Sequence, residues 1–278
     1  MKKTICLALA LLMIAVCAVS LAAVKDPKEK TLEASNTYEY ETLKIQIDQW
    51  CYTFSKKESM RFFVAHVYTS SPDQLMTAFA ENKYGEATSA IAQRSGAVLA
   101  VNGDYYNYKE DSGVVLRNGE LYRDKKAGRD LLVIDKDGSF HVLLRGTYPA
   151  GIGQQCADEG AQQVFTFGPA LIDGGEILTL PETYAPSTKD TQREPRTAIG
   201  QVEENHYVVL VADGRREGWS EKGMTMQEMQ VVMHEAGCRV AYNLDGGGST
   251  TMVLEGERVN RGTAARERDV SDIVYFTE

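Results

Sequence analysis

Two stretches of this chain follow one plan, and the plan narrows the folds open to it. Gly96 ends a helical stretch and leads through the apolar run 97–101 into Asn102-Gly103-Asp104; Gly237 ends another and leads through 238–242 into Asn243-Leu244-Asp245. In both, the asparagine lies six residues beyond the glycine. Each unit therefore reads as helix, glycine stop, short buried strand and polar strand end. The shared plan motivates the hypothesis that the two units bring their polar ends together, with chance similarity of two such units as the alternative.

The other elements come from turn chemistry and periodicity. Alternation at Leu43, Ile45 and Ile47 predicts one strand, and the more apolar segment 61–68 a second. Asn118-Gly119 and Asp137-Gly138 each separate two apolar segments and predict hairpins. The clearest helix starts at Thr225, where Glu228 completes a capping box. Its stripe of Met226, Met229, Met233 and Ala236 marks a core-facing helix that stops at Gly237. A second helix is predicted over 86–95. Helices mixed with hairpins predict an α+β class: a single domain with a mixed β-sheet, hairpins and packed helices, over residues 41–278. A hydrophobic content of 43% in 278 residues is enough for one sizeable core.

Ahead of that domain, Lys2 and Lys3 precede an apolar run over 5–24 that ends in the small residues Ser20, Ala22 and Ala23. Residues 1–24 are expected to be a signal peptide or a membrane anchor, which places the protein outside the cytoplasm, secreted or held at the membrane by this segment alone. Residues 25–40, charged and without apolar period, are expected to be a linker. Only Cys51, Cys156 and Cys238 lie beyond the leader, so at most one internal disulfide can form, and buried thiols are expected. The net charge of -9 becomes more negative still if Lys2 and Lys3 leave with the leader. A broad attraction to nucleic acid or anionic lipid is excluded, and an anionic substrate must be met by a few placed arginines.

Three clusters carry the polar chemistry. Asn243 to Thr251 reads Asn-Leu-Asp-Gly-Gly-Gly-Ser-Thr-Thr, and three consecutive glycines are tolerated where the backbone needs φ > 0 or close approach to a ligand. Asn243, Asp245, Gly246, Gly247, Gly248, Ser249 and Thr250 are therefore a candidate binding site, with a hairpin turn as the alternative. The second cluster, Asn102, Gly103, Asp104 and Tyr105, pairs another carboxylate with an aromatic face for a sugar ring. In the third, Arg196 opens a strand after a long polar stretch and could hold phosphate with its planar fork of donors. Asp213 and Arg215 follow the apolar strand 207–212 and supply one more carboxylate and guanidinium. The glycine turn lacks the lysine of a P-loop, and His234-Glu235 lacks the second histidine of a zinc protease.

Taken in order, Asn102-Gly103-Asp104-Tyr105-Tyr106, Phe167-Gly168-Pro169-Ala170-Leu171, Pro195-Arg196-Thr197-Ala198-Ile199-Gly200, Asp213-Gly214-Arg215 and Asn243 to Thr251 resemble the motifs of the phosphodiester glycosidase family, with Asn260 and Glu267-Arg268 continuing the likeness. The resemblance implies cleavage of the glycosidic bond of a sugar-1-phosphodiester to free sugar and a phosphomonoester. Asp104, Asp245 and Arg196 would be catalytic, and Gly168 would join the substrate-binding set. Exported members of such families are associated with exopolysaccharide, so a glycan is the expected partner. No cofactor is required on this reading. Two alternatives stay open: a Mg²⁺- or Ca²⁺-dependent phosphodiesterase using Asp104, Asp245 and Asp213, and a non-catalytic glycan-binding or exopolysaccharide-assembly protein.

Overall fold

A computed structural model describes residues 24–82, 85–104, 112–126, 128–181, 192–215, 220–263 and 265–278. The leader expectation falls on residues outside this set; no described helix is long and apolar enough to cross a membrane.

Among the described residues the fold is one domain of three large sheets around a shared core, each backed by one helix, with a further two-stranded pair at Glu86–Ala87 and Asp269–Val270. The largest has eight strands, in spatial order Glu29–Glu39, Leu43–Ser55, Glu58–Thr69, His206–Ala212, Arg196–Glu203, Val240–Asn243, Ala170–Asp173 and Glu176–Ile177. A second runs Phe140–Leu143, Leu131–Ile134, Gln163–Phe165, Val114–Arg117 and Glu120–Asp124. The third runs Glu257–Arg258, Met252–Leu254, Leu99–Asn102, Asp272–Phe276 and Leu75–Phe79.

Alternate side chains explain the layering. Ala65, Val67, Val209 and Tyr242 of the large sheet meet Leu132, Ile134 and Phe165 of the second and Leu99, Val101 and Phe276 of the third in the shared core. The opposite face of the large sheet, with Phe62, Val64, Val208 and Leu210, packs beneath Met226, Met229 and Met233 of a helix at Met226–Glu235. The methionine stripe is thus core, and a side chain buried as fully as Met229 contributes about 1.5–3 kcal/mol. A helix at Ile152–Asp158 covers the second sheet and one at Thr88–Arg94 covers the third.

Several expectations hold in detail. Thr225 Oγ1 accepts from the Glu228 N–H at 3.1 Å while Glu228 Oε2 accepts from the Thr225 N–H at 2.9 Å. Asn118 and Gly119 take φ of 51° and 80°, the left-handed pair that a tight hairpin requires. The three cysteines are free thiols, Cys156 and Cys238 buried.

Others are corrected. Strand outweighs helix, 47% against 13%, so the fold is β-dominated rather than evenly α+β. The sheets are antiparallel rather than mixed: every strand pair among the described residues is antiparallel, and the parallel contact is an isolated Ser59–Glu221 bridge. Residues 29–39, expected within a linker, form the edge strand of the large sheet, register-paired from Glu29↔Thr53 to Glu39↔Lys44. That strand is held by main-chain bonding along an exposed edge, so its side chains needed no apolar alternation. Charged side chains there also discourage further strand addition. The helix expected over 86–95 is shorter, because Glu86–Ala87 pairs with Asp269–Val270 first.

Candidate active site

The two glycine-stopped units converge. Gly96 and Gly237 both take left-handed φ, 67° and 86°, and turn the chain from helix into strand. The strands they start belong to different sheets, and their far ends meet where those sheets pack. Asn102 Nδ2 donates to the Asp245 carbonyl at 2.7 Å, and the Asp245 N–H donates to the Gly103 carbonyl at 3.2 Å. Asn102 Oδ1 accepts from Thr197 Oγ1 at 2.8 Å and from the Thr251 N–H at 3.2 Å. Fully buried, Asn102 joins its own strand end to the backbone of Asp245 and Thr251 and to the Thr197 hydroxyl. Asn243, also buried, donates from Nδ2 to the Gly168 carbonyl at 2.7 Å, while its Oδ1 has no hydrogen-bond partner among the described residues.

Asp104 lies at one side of this junction. Its Oδ2 accepts from the Thr166 N–H at 2.7 Å and faces Arg117 Nη2 at 3.7 Å. Arg117 is 2% exposed and spans two carboxylates, since its Nε donates to Asp272 Oδ2 at 2.9 Å. Its guanidinium also rests over the Phe165 ring at 4.0 Å. Gly103 makes room for this group: a Cβ there would stand 2.5 Å from Asp272 Oδ1.

Asp245 lies at the other side, half-buried, its Oδ1 accepting from the Gly246 N–H at 2.8 Å and its carboxylate bonded to the Ser249 hydroxyl. Loss of solvent pushes its carboxyl up to about 6, against the pull of those bonds and of Arg268, with the Asp104 charge adding to the rise. Burial likewise pushes Asp272 up to about 7 despite Arg117, with Asp104 again adding to the rise.

Both folded values lie above the roughly 3.9 of an unfolded aspartate. Between these limits the native state holds protons that the unfolded chain has released. The stability these groups lend is whole below about pH 4 and is lost as pH rises through about 6 and about 7. Asp272→Asn is accordingly expected to lose less stability than wild type between pH 4 and 8; urea midpoints measured across that range check it.

The glycine turn is explained by three close neighbours. A Cβ on Gly246 would meet the Pro195 carbonyl at 2.7 Å, one on Gly247 would meet Arg215 Nη1 at 2.9 Å, and one on Gly248 would meet Arg268 Cδ at 3.1 Å. Gly247 also takes φ of 61°. The amides expected to face phosphate are in part engaged already: the Gly246 N–H by Asp245 and the Gly247 N–H by the Pro195 carbonyl at 2.8 Å.

Arg196 is placed differently from its sequence role. It is buried, donating from Nε to the Met224 carbonyl at 3.1 Å and from Nη2 to the Gln192 carbonyl at 3.1 Å. These bonds brace the segment that carries Pro195 against the turn. Asp213 is likewise a brace. Its Oδ1 accepts from Asn260 Nδ2 and the Gly262 N–H, both at 2.9 Å, and its Oδ2 from the Arg261 N–H at 3.0 Å. Arg215 reaches the turn with φ of 58° and is ion-paired through Nε to Glu194. Thr250 and Ser249 are buried beside the turn, Thr250 Oγ1 without a hydrogen-bond partner among the described residues. Tyr105 lies outside the described residues. Sequence reasoning missed Arg117 and Asp272 as members of the site; an arginine closing the apolar strand Val114–Arg117 was the available signal. No group of three or more His, Cys, Asp or Glu among the described residues could hold a metal ion.

Known proteins resemble this chain in sequence and in fold. The family model described as phosphodiester glycosidase matches residues 95–277, which takes in both strand ends, the glycine turn, Asp213, Arg268 and Asp272. The chain belongs to the phosphodiester glycosidase family. A prophage-derived protein, YomE of Bacillus subtilis, is 28% identical over 230 residues, 81% of this chain and 34% of its own length. The mouse N-acetylglucosamine-1-phosphodiester alpha-N-acetylglucosaminidase is 39% identical over 61 residues, 22% of this chain and 11% of its own. The chain therefore spans a minor part of both curated relatives. The catalytic domain of the zebrafish N-acetylglucosamine-1-phosphodiester alpha-N-acetylglucosaminidase superposes with a TM-score of 0.70 at 19% identity, over 93% of this chain and 90% of that domain, and so shares the fold.

Proposed function

We propose that this phosphodiester glycosidase hydrolyses the glycosidic bond of a sugar-1-phosphodiester, giving free sugar and a phosphomonoester. The observation that carries the reading is the meeting of Asp104 and Asp245 at one sheet junction, each carboxyl held in a different way. Asp104 is fixed by the Thr166 N–H and faces Arg117, which suits a carboxylate that stays still and stabilises positive charge at the anomeric carbon. Asp245, with its value raised to about 6, suits a group that moves a proton near neutral pH.

The leaving group decides which proton moves. A departing phosphate has a second pKa near about 6, so it needs little acid assistance. The proton that must be taken is that of water, and Asp245 takes it in its ionised form. Water oxygen bonds to the anomeric carbon, its proton passes to Asp245, and the carbon–oxygen pair leaves on the phosphate.

The reaction on this reading needs no metal, and it runs outside the cytoplasm after export directed by residues 1–24. Incubation of the protein with a sugar-1-phosphodiester is expected to yield free reducing sugar and phosphomonoester by phosphorus NMR, at an unchanged rate in excess EDTA. Release of sugar phosphate, or loss of turnover with chelator, would replace this reading by attack at phosphorus.

A further inference from the structure

The phosphate side of the reaction has no agent so far, because Arg196 is buried against carbonyls. Two other guanidiniums reach the glycine turn from separate loops. Arg215 stands over Gly247, and the Asp245 charge bears on it. Arg268 stands over Gly248, and its own charge acts on Asp245. Arg215 is tied to Glu194. Arg268 is exposed and makes no hydrogen bond or ion pair with another described residue.

The loop that presents Arg268 is pinned twice. Asp213 grips Asn260 Nδ2 and the N–H groups of Arg261 and Gly262. At the far end Glu267 Oε2 accepts from the Ser89 N–H at 3.0 Å, in the first turn of the Thr88–Arg94 helix, where a carboxylate is favoured by the open backbone donors. A charged side chain is thus held over Gly248, beside the Thr263 hydroxyl. In a chain of net charge -9, an uncommitted arginine so placed is a selective receptor for an anion.

We propose that Arg215 and Arg268 clamp the phosphoryl group of the substrate across the glycine turn, with Glu267 as the positioning residue that sets Arg268. This rests on the phosphodiester reading above and names the residues that recognise its leaving group. The phosphate gains charge as the glycosidic bond breaks, toward -1.5 to about -2 once free at pH 7. Contacts from the clamp therefore tighten in the transition state and act on kcat as well as on binding.

The test compares wild type with Arg268→Gln and Glu267→Gln on a sugar-1-phosphodiester and on the uncharged p-nitrophenyl glycoside of the same sugar, and measures inorganic phosphate binding by calorimetry. Arg268→Gln is expected to lower kcat/KM on the phosphodiester by about 10²–10³-fold. Compared well above pH 6, where Asp245 is ionised with or without the Arg268 charge, the aryl glycoside should change by less than about threefold, while phosphate binding should weaken by roughly tenfold or more. Glu267→Gln should raise KM for the phosphodiester alone. Equal losses on both substrates, or phosphate binding that is absent in wild type or unchanged in Arg268→Gln, would overturn the clamp. Should wild type fail to cleave any phosphodiester, the functional reading falls, and phosphate binding alone decides the clamp.

Discussion

Asp245→Asn is expected to lower kcat on a sugar-1-phosphodiester by about 10²–10⁴-fold, the usual share of a general base, while leaving the thermal midpoint at or above that of wild type. The two halves of that result have one origin. Burial raises the Asp245 carboxyl to about 6, which means that the folded protein tolerates the neutral form better than the ionised one. An amide of the same shape keeps an oxygen to accept from the Gly246 N–H and the Ser249 hydroxyl, so the turn is retained. What is lost is the ability to take a proton. In wild type, kcat/KM should rise with pH through a limb near 6, since the working form is the ionised one, and the variant should lack that limb. Asparagine before Gly246 deamidates slowly to aspartate, so Asp245→Ala belongs beside it as a guard against recovered activity. A variant that keeps more than about a third of wild-type kcat would remove Asp245 from proton transfer, given the magnitude expected of a general base.

Arg117→Met is expected to cost about 3–5 kcal/mol of folding stability, the range for removing one member of a buried charge pair. Arg117 is 2% exposed and is the cation shared by Asp104 and Asp272, which is itself fully buried. Methionine fills much of the volume but leaves two carboxyls without a counter-charge. It also leaves the Val164 and Leu116 carbonyls without their guanidinium donor. Asp272 would then hold its proton to higher pH, and among the described residues the Thr166 N–H would be left to orient Asp104. Calorimetric unfolding should show a fall of at least several degrees, about 2–4 °C for each kcal/mol in a chain of this size. The double variant Arg117→Met with Asp272→Asn should recover part of the loss, because one stranded charge is gone. An unchanged midpoint in the single variant would mean that the two carboxyls do not depend on this arginine.

How far the sequence alone carried these conclusions follows from what each element rests on. The Met226–Glu235 helix and the Asn118-Gly119 hairpin depend on local chemistry, a capping box and a pair of left-handed residues, and both are visible in a few neighbouring positions. The convergence of Asn102 and Asn243 is legible as a repeated plan, because each strand end follows its own glycine stop at the same spacing. Strand direction is another matter. A strand such as Leu131–Ile134 is buried on both faces, so its unbroken apolar run looks alike whether its neighbours run with it or against it. The edge strand Glu29–Glu39 shows the converse: main-chain bonding holds it, and its exposed side chains carry no pattern to read. Long-range charge pairing is hidden for a third reason. Arg117 and Asp272 are 155 positions apart and meet only through the packing of two sheets, so neither has a sequence neighbour that announces the other. Arg196 looked like a phosphate ligand from its place at a strand start, but the same position puts its donors against the Met224 and Gln192 carbonyls.

The claim that bond cleavage occurs at the anomeric carbon is tested most directly by hydrolysing a sugar-1-phosphodiester in ¹⁸O-labelled water and weighing both products by mass spectrometry. Attack assisted by Asp245 at carbon predicts label in the freed sugar and none in the phosphomonoester. Label in the phosphate, with unlabelled sugar, would contradict it.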